Sequence, residues 1–333
     1  MLYHPAPKEC ELVQPASPRG ETQMPLILVH DGGGTTFAYH CLGPLDRAVF
    51  GIANPRFHSG VPWDGGLPEM AATYLRMIRA TVTKGRDYPA QAPRSPPPPR
   101  SSRGGGGKPR RRILLGGWSL GGMLSLEIAR QLGDEDEDIE IAGLVIVDSV
   151  YPVWPEGLRV KIGRLVDGPE PETKNLRLAR RAMGMAGGMV RAWKIPRCGA
   201  AAAAAAAVTV PRMAGGGDVD DRENHGDGDH GGLDTGFYGS KREKETAEVV
   251  WERPPRAVLV KAKARVPSST AGVISSVDVY REDEKLGWDG YCPGFVERVL
   301  MTEGHHFDMF DWGHIDGITE KIFEACRVLE RAG

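Results

Sequence analysis

The sequence predicts an α/β protein, a mostly parallel sheet flanked by helices with a helical cap inserted into it. Three observations carry this expectation. Short, wholly apolar runs such as Leu26-Ile27-Leu28-Val29, Ile113-Leu114-Leu115 and Leu144-Val145-Ile146-Val147 read as strands buried on both faces. Segments with apolar residues at helical spacing alternate with them, as crossover helices between parallel strands would. Between one such strand and one such helix lies Gly117-Trp118-Ser119-Leu120-Gly121, a G-x-S-x-G pattern.

The elements follow in order. Residues 1–23 are polar and Pro-rich and read as a flexible tail. A strand at 25–30 leads into the Gly-rich loop Gly32-Gly33-Gly34, a short helix near 36–46 and a strand at about 48–53. From Leu67 to Thr83, Leu67, Met70, Ala71, Tyr74, Leu75 and Ile78 share one helical face. Residues 86–111 contain a proline run, a glycine run and the basic cluster Lys108 with Arg110-Arg111-Arg112, and read as a solvated low-complexity insertion, with a targeting or acidic-partner patch as the alternative for the cluster. The helix after Ser119 ends in a solvated acidic loop, Asp134 to Asp138. The strand Gly143 to Ser149 closes the first part of the core.

Residues 151–254 read as the cap, or lid, over a core formed by 24–150 and 255–333. Within the cap, Val160 to Leu165 and Leu176 to Met185 show helical patterns. Met183, Met185, Met189 and Trp193 are suited to bury the cap against the core, or to line a tunnel, since methionine adapts to irregular apolar shapes. Ala200 to Ala207 is helix-prone, and 199–235 is low in complexity; His225 and His230 there lack the regular spacing of metal ligands. Core strands at 256–262 and 296–301 and a helix from Asp316 to Arg331 complete the chain.

The G-x-S-x-G context is that of the nucleophile elbow of an α/β-hydrolase. The turn is tight enough to force Ser119 into a strained backbone, and glycines flank it because a Cβ would strike the neighbouring elements. A serine hydroxyl needs a base, and the base needs an orienting acid. In this fold the partners follow in the order Ser, Asp, His. Asp148 ends the strand next in sequence and reaches the same edge of the sheet. The loop after the last strand holds two adjacent candidates for the base, His305 and His306, between which chemistry alone does not choose. A tetrahedral oxyanion needs preorganised N–H donors. Leu120, the residue after the nucleophile, supplies one, and Gly32 or Gly33 supplies the other.

Four stretches together resemble the thioesterase family that releases acyl chains from carrier proteins in polyketide and non-ribosomal peptide synthesis. They are Pro25 to Tyr39 with its Gly-rich loop, Gly116-Gly117-Trp118-Ser119-Leu120-Gly121-Gly122 with Glu127-Ile128-Ala129, Val147-Asp148-Ser149, and Gly304-His305-His306-Phe307-Asp308-Met309. The likeness spans roughly 24–85, 112–155 and 255–330, and Leu286-Gly287-Trp288-Asp289 is similar to a segment of fungal polyketide thioesterases. The resemblance implies that His306 is the base. It also implies a covalent Ser-His-Asp mechanism, a substrate carried on the phosphopantetheine of an acyl carrier protein, and no cofactor of the enzyme's own. The sequence shows no carrier-protein Ser in a G-x-D-S-L setting and little beyond the hydrolase, so the expectation is a discrete enzyme acting on a synthase in trans, with a split-off domain or fragment as the alternative. Release by hydrolysis and release by cyclisation stay open. A carboxylesterase or lipase on oxygen esters, and a non-catalytic ligand-binding hydrolase fold, are the competing readings.

Composition fits an intracellular enzyme. The 333 residues suffice for one such core with insertions. A net charge of −2 points to neither nucleic acid nor an anionic membrane as partner. Five scattered cysteines form neither a zinc pattern nor a secretory framework. No segment reads as a signal peptide or membrane span, so the expected location is cytoplasmic.

Overall fold

A computed structural model describes residues 8–90, 92–95, 109–133, 136–155, 158, 160–163, 173–199, 250–251 and 254–331. Its centre is an eight-stranded sheet. Chain order gives β1 (Glu11–Gln14), β2 (Leu26–Val29), β3 (Val49–Ile52), β4 (Arg94–Ser95), β5 (Arg110–Trp118), β6 (Ile139–Val147), β7 (Lys161–Gly163) and β8 (Arg197–Cys198). Then come β9 (Val250–Trp251), β10 (Ala257–Ala262), β11 (Val273–Ser275) and β12 (Val296–Thr302). The main sheet runs β1-β3-β2-β5-β6-β10-β12, with β4 paired to the start of β5. All its pairings are parallel except those of β1 and β4.

Alternation along the central strands builds two cores. Ile27 and Val29 of β2, Leu144 and Ile146 of β6, and Leu259 of β10 face α2 (Gly66–Lys84) and α3 (Leu120–Leu132). Leu26, Leu28, Val145, Val147, Val258 and Val260 face α1 (Phe37–His40) and α5 (Ile315–Arg331). Side chains on successive strand residues point to opposite faces, so a strand sandwiched between helices must be apolar throughout. This is why the apolar runs were legible as strands.

The structure departs from the sequence expectations in four places. Residues 11–14 are not tail but the edge strand β1, anchored by the Cys10 amide on Thr81 Oγ1 at 2.8 Å. Arg110-Arg111-Arg112 are not a solvated insertion but the first residues of β5. Arg110 and Arg112 both pair with Glu140 on adjacent β6, and the Arg111 guanidinium lies 5.2 Å from the Tyr88 ring centre, so the strand tolerates three cations. Lys161–Gly163, expected to be helical, is the strand β7, paired with β11. The helix expected over Leu176 to Met185 is longer than its periodic core, running as α4 (Lys174–Ala192) from a Thr173 N-cap whose hydroxyl accepts the Leu176 amide at 3.2 Å. Lys108, the proline and glycine runs, Ala200 to Ala207, His225 and His230 lie outside the described residues.

Cysteine spacing gave no hint that Cys198 and Cys292 pair as a disulfide across 94 positions, because their proximity exists only in three dimensions. Cys10, Cys41 and Cys326 are free thiols. Among the described residues no helix is long and apolar enough to cross a membrane.

Candidate active site

β5 delivers Ser119 at its carboxyl end, and α3 begins at the next residue. Ser119 sits at φ 55°, ψ −116°, a conformation that a non-glycine residue holds only under enforcement. The enforcement is visible in its neighbours. A Cβ on Gly117 would meet the Val29 carbonyl oxygen at 2.4 Å, and one on Gly121 would meet it at 2.3 Å. The elbow is therefore pressed onto the end of β2, from which the loop Asp31 to Gly34 departs. Tyr39 seals the joint: its hydroxyl donates to the Val29 carbonyl at 2.6 Å and accepts the Trp118 amide at 2.9 Å.

Asp148 follows the last residue of β6, with its amide on the Val260 carbonyl at 2.7 Å. It too has a positive φ, 42°. Its carboxylate is saturated. Oδ1 accepts the Ala262 amide at 2.9 Å and Arg281 Nη1 at 2.7 Å; Oδ2 accepts Arg281 Nη2 and His306 Nδ1, each at 2.8 Å. Burial opposes ionisation here, yet the bonds from Arg281 and His306 outweigh it and hold the carboxyl well below the usual range. The motif Leu286-Gly287-Trp288 supports this corner: the Trp288 indole, fully buried, donates to the Ser149 carbonyl at 2.7 Å.

The loop after β12 turns one of its two histidines inward. His306 is 2% exposed and stands 3.0 Å from Ser119 Oγ through Nε2. With Nδ1–H given to Asp148, Nε2 is left as acceptor for the serine hydroxyl. His305 turns to Asp308 instead, at 3.2 Å, and its Nδ1 accepts the Phe307 amide. Gly304, at φ +83°, makes the turn possible, since a Cβ there would strike Asp308 Oδ1 at 2.5 Å.

The other predicted residues collect around this line. Leu120 opens α3, whose positive end faces the serine. Gly32 lies against α4, where a Cβ would sit 3.7 Å from Met183 Cγ and 3.9 Å from Ala186; a Cβ on Gly33 would face the Asp31 carboxylate at 3.1 Å. Of the four apolar residues expected to bury the inserted segment or line a tunnel, Trp193 is buried in the core cluster and Met189 packs against it. Trp193 Nε1 also donates to Glu127 of α3 at 3.3 Å, so the far end of α4 is tied to the elbow helix.

Sequence reasoning missed three contributors. His30, buried behind the loop, donates Nδ1–H to the Asp31 carbonyl and accepts the Tyr74 hydroxyl, each at 2.5 Å; burial pulls its pKa from 6.5 down to about 4 and keeps it neutral. Asp31 is near enough to His306 to interact electrostatically, and burial raises its carboxyl above the usual value. Arg281 lay in the run Arg281-Glu282-Asp283-Glu284-Lys285, which resembles any solvated segment. The sequence holds no signal for its burial.

A strained serine at a strand-to-helix turn, on a parallel sheet between two helical layers, is the architecture of an α/β-hydrolase. No family model matches the chain. It is 30% identical over 320 residues to a probable thioesterase, lcsE, of Purpureocillium lilacinum, covering 93% of this chain and 90% of the relative. The chain belongs to the thioesterase family of polyketide and non-ribosomal peptide synthesis. It is also 25% identical over 92% of its length to 8% of a nonribosomal peptide synthetase, imqB, of Aspergillus flavus. Among solved structures, the NocB thioesterase domain from the nocardicin cluster shares the fold, with a TM-score of 0.51, 20% identity, and 94% and 97% of the two chains covered.

Proposed function

We propose that the protein releases an acyl chain, a polyketide or a peptidyl group, from the phosphopantetheine of a carrier protein. Ser119 Oγ attacks the thioester carbonyl while His306 Nε2 takes its proton, and Asp148 holds the imidazole in the productive tautomer. The amides of Leu120 and of Gly32 or Gly33 meet the oxyanion. Collapse breaks the C–S bond, and the departing thiol takes its proton from His306. Water, or a nucleophile within the chain itself, then resolves the acyl-enzyme, giving an acid or a ring. Residues 151–254 serve as the lid, and the enzyme needs no cofactor of its own and works in the cytosol on a synthase in trans.

The observation that supports this most is the unbroken contact line Ser119–His306–Asp148, 3.0 and 2.8 Å, at the mouth of a family-typical elbow. The deciding experiment incubates the enzyme with carrier proteins loaded with different acyl groups and identifies the products by mass spectrometry. Release that disappears in Ser119→Ala is the expected result. Turnover of short p-nitrophenyl esters with no action on any acyl-carrier would overturn the carrier-linked reading.

A further inference from the structure

Asp148 is held on both oxygens by a second buried ion, and that ion has a counter-charge of its own. Arg281 is 4% exposed and spends all five N–H donors. Nη1 serves Asp148 Oδ1 and the Ala262 carbonyl, and Nη2 serves Asp148 Oδ2 and the Val277 carbonyl. Nε donates to Asp278 Oδ1 at 2.9 Å. Asp278, 2% exposed, receives the Val266 amide on its other oxygen at 2.8 Å. A cation bound to both oxygens of Asp148 works against the task of that carboxylate, because it cancels the field that an imidazolium on His306 would feel. Asp278 reverses the cancellation. Asp148, Arg281 and Asp278 together carry one negative charge, and a protonated His306 brings the buried group to neutrality.

We propose that Arg281 and Asp278 are positioning residues of this site: Arg281 fixes Asp148 by gripping both oxygens, and Asp278 returns the negative charge that Arg281 removes. The inference rests on the reading of Ser119, His306 and Asp148 given above. Other charged groups around the imidazole stay constant in its test. Asp31 faces it from the loop after β2. Lys261 of β10, whose amine donates to the Asp283 carbonyl at 2.8 Å, interacts with Asp148 and Arg281. Asp308, on the same loop as His306, is engaged with His305 and His314.

The test is the rate at which a fluorophosphonate probe labels Ser119, measured against pH, with folding followed by circular dichroism. Asp278→Asn removes a negative charge, weakens the imidazolium, and moves the acid limb to lower pH by on the order of one unit. Arg281→Gln removes a positive charge and moves it upward by a similar amount. The double variant restores the net charge and brings the limb back toward wild type. A purely structural role predicts slower labelling with an unmoved limb, and that result would overturn the proposal. If Arg281→Gln does not fold, as loss of a buried ion's partner can cause, Asp278→Asn alone decides. Absence of labelling in the wild-type enzyme at every pH would overturn the serine reading and this one together; labelling with a fixed limb overturns only the charge pair.

Discussion

The Tyr39 hydroxyl accepts the Trp118 amide at 2.9 Å and donates to the Val29 carbonyl, so one phenol joins the strand that ends at Ser119 to the strand that leads into the Gly32–Gly33 loop. Tyr39 is 1% exposed. Tyr39→Phe is expected to cost about 1–3 kcal/mol in denaturant unfolding, the penalty for unpaired buried groups. Turnover should fall about tenfold through kcat, because the elbow and the Gly32–Gly33 loop lose their fixed spacing. A variant that unfolds earlier but turns over at the wild-type rate would show that the phenol serves stability alone.

The two neighbouring histidines give a sharper contrast. His306→Ala is expected to lower acyl release by roughly 10⁴-fold or more, as loss of the base does in serine hydrolases. His305→Ala leaves the Ser119 contact intact and should stay within about threefold of wild type, since His305 bonds Asp308 and the Phe307 amide and stands outside the reacting line. Rates measured on one acyl-loaded carrier decide it, and the reverse ranking would transfer the role of base to His305.

This contrast also marks how far the sequence could be read. Ser119 was legible because its signal is local: strand, turn and helix are contiguous. Asp148 was legible because an apolar run ended in an acid at the right edge. The inward choice of His306 depends on the left-handed turn at Gly304, and chemistry offered no preference without the family likeness. Arg281 was passed over and the cationic start of β5 misread for one reason. Charge usually means solvent, and only the folded chain sets Asp148 and Asp278, or Glu140, beside those cations. The edge strand β1 was missed because four residues of pairing leave almost no periodicity to detect.

Glycines in the two halves of the site should respond in opposite directions. Gly121→Ala drives a Cβ to 2.3 Å from the Val29 oxygen and 2.9 Å from the His30 oxygen, both backbone atoms. It is expected to destabilise by about 3 kcal/mol or to prevent folding, as overpacking against an immovable neighbour does. Gly184 and Gly188 lie within α4 with nothing inside 4 Å of an added Cβ. Ala at either position should stabilise by about 0.5–1 kcal/mol and raise the melting temperature by about 2 °C. Thermal melts of the single variants test both halves.

Acid should weaken the fold through His30. In the unfolded chain this imidazole takes a proton near 6.5; in the folded protein burial delays it to about 4. Between those values the unfolded state binds more protons, so the contribution is complete above pH 6.5 and is lost as pH falls toward 4. The loss amounts to about 3 kcal/mol at 1.36 kcal/mol per unit. Denaturant midpoints across that window should slope downward in the wild type and less so in His30→Gln. Equal slopes would remove His30 from the account.

Ser119 and His306 stand 187 positions apart, and β12, which presents the histidine, occupies the outermost place in its sheet. A chain still leaving the ribosome therefore carries an inert alcohol. Under the proposed chemistry, reactivity arises only when the final parallel strand has docked, so truncated or half-made copies cannot squander a synthase's product.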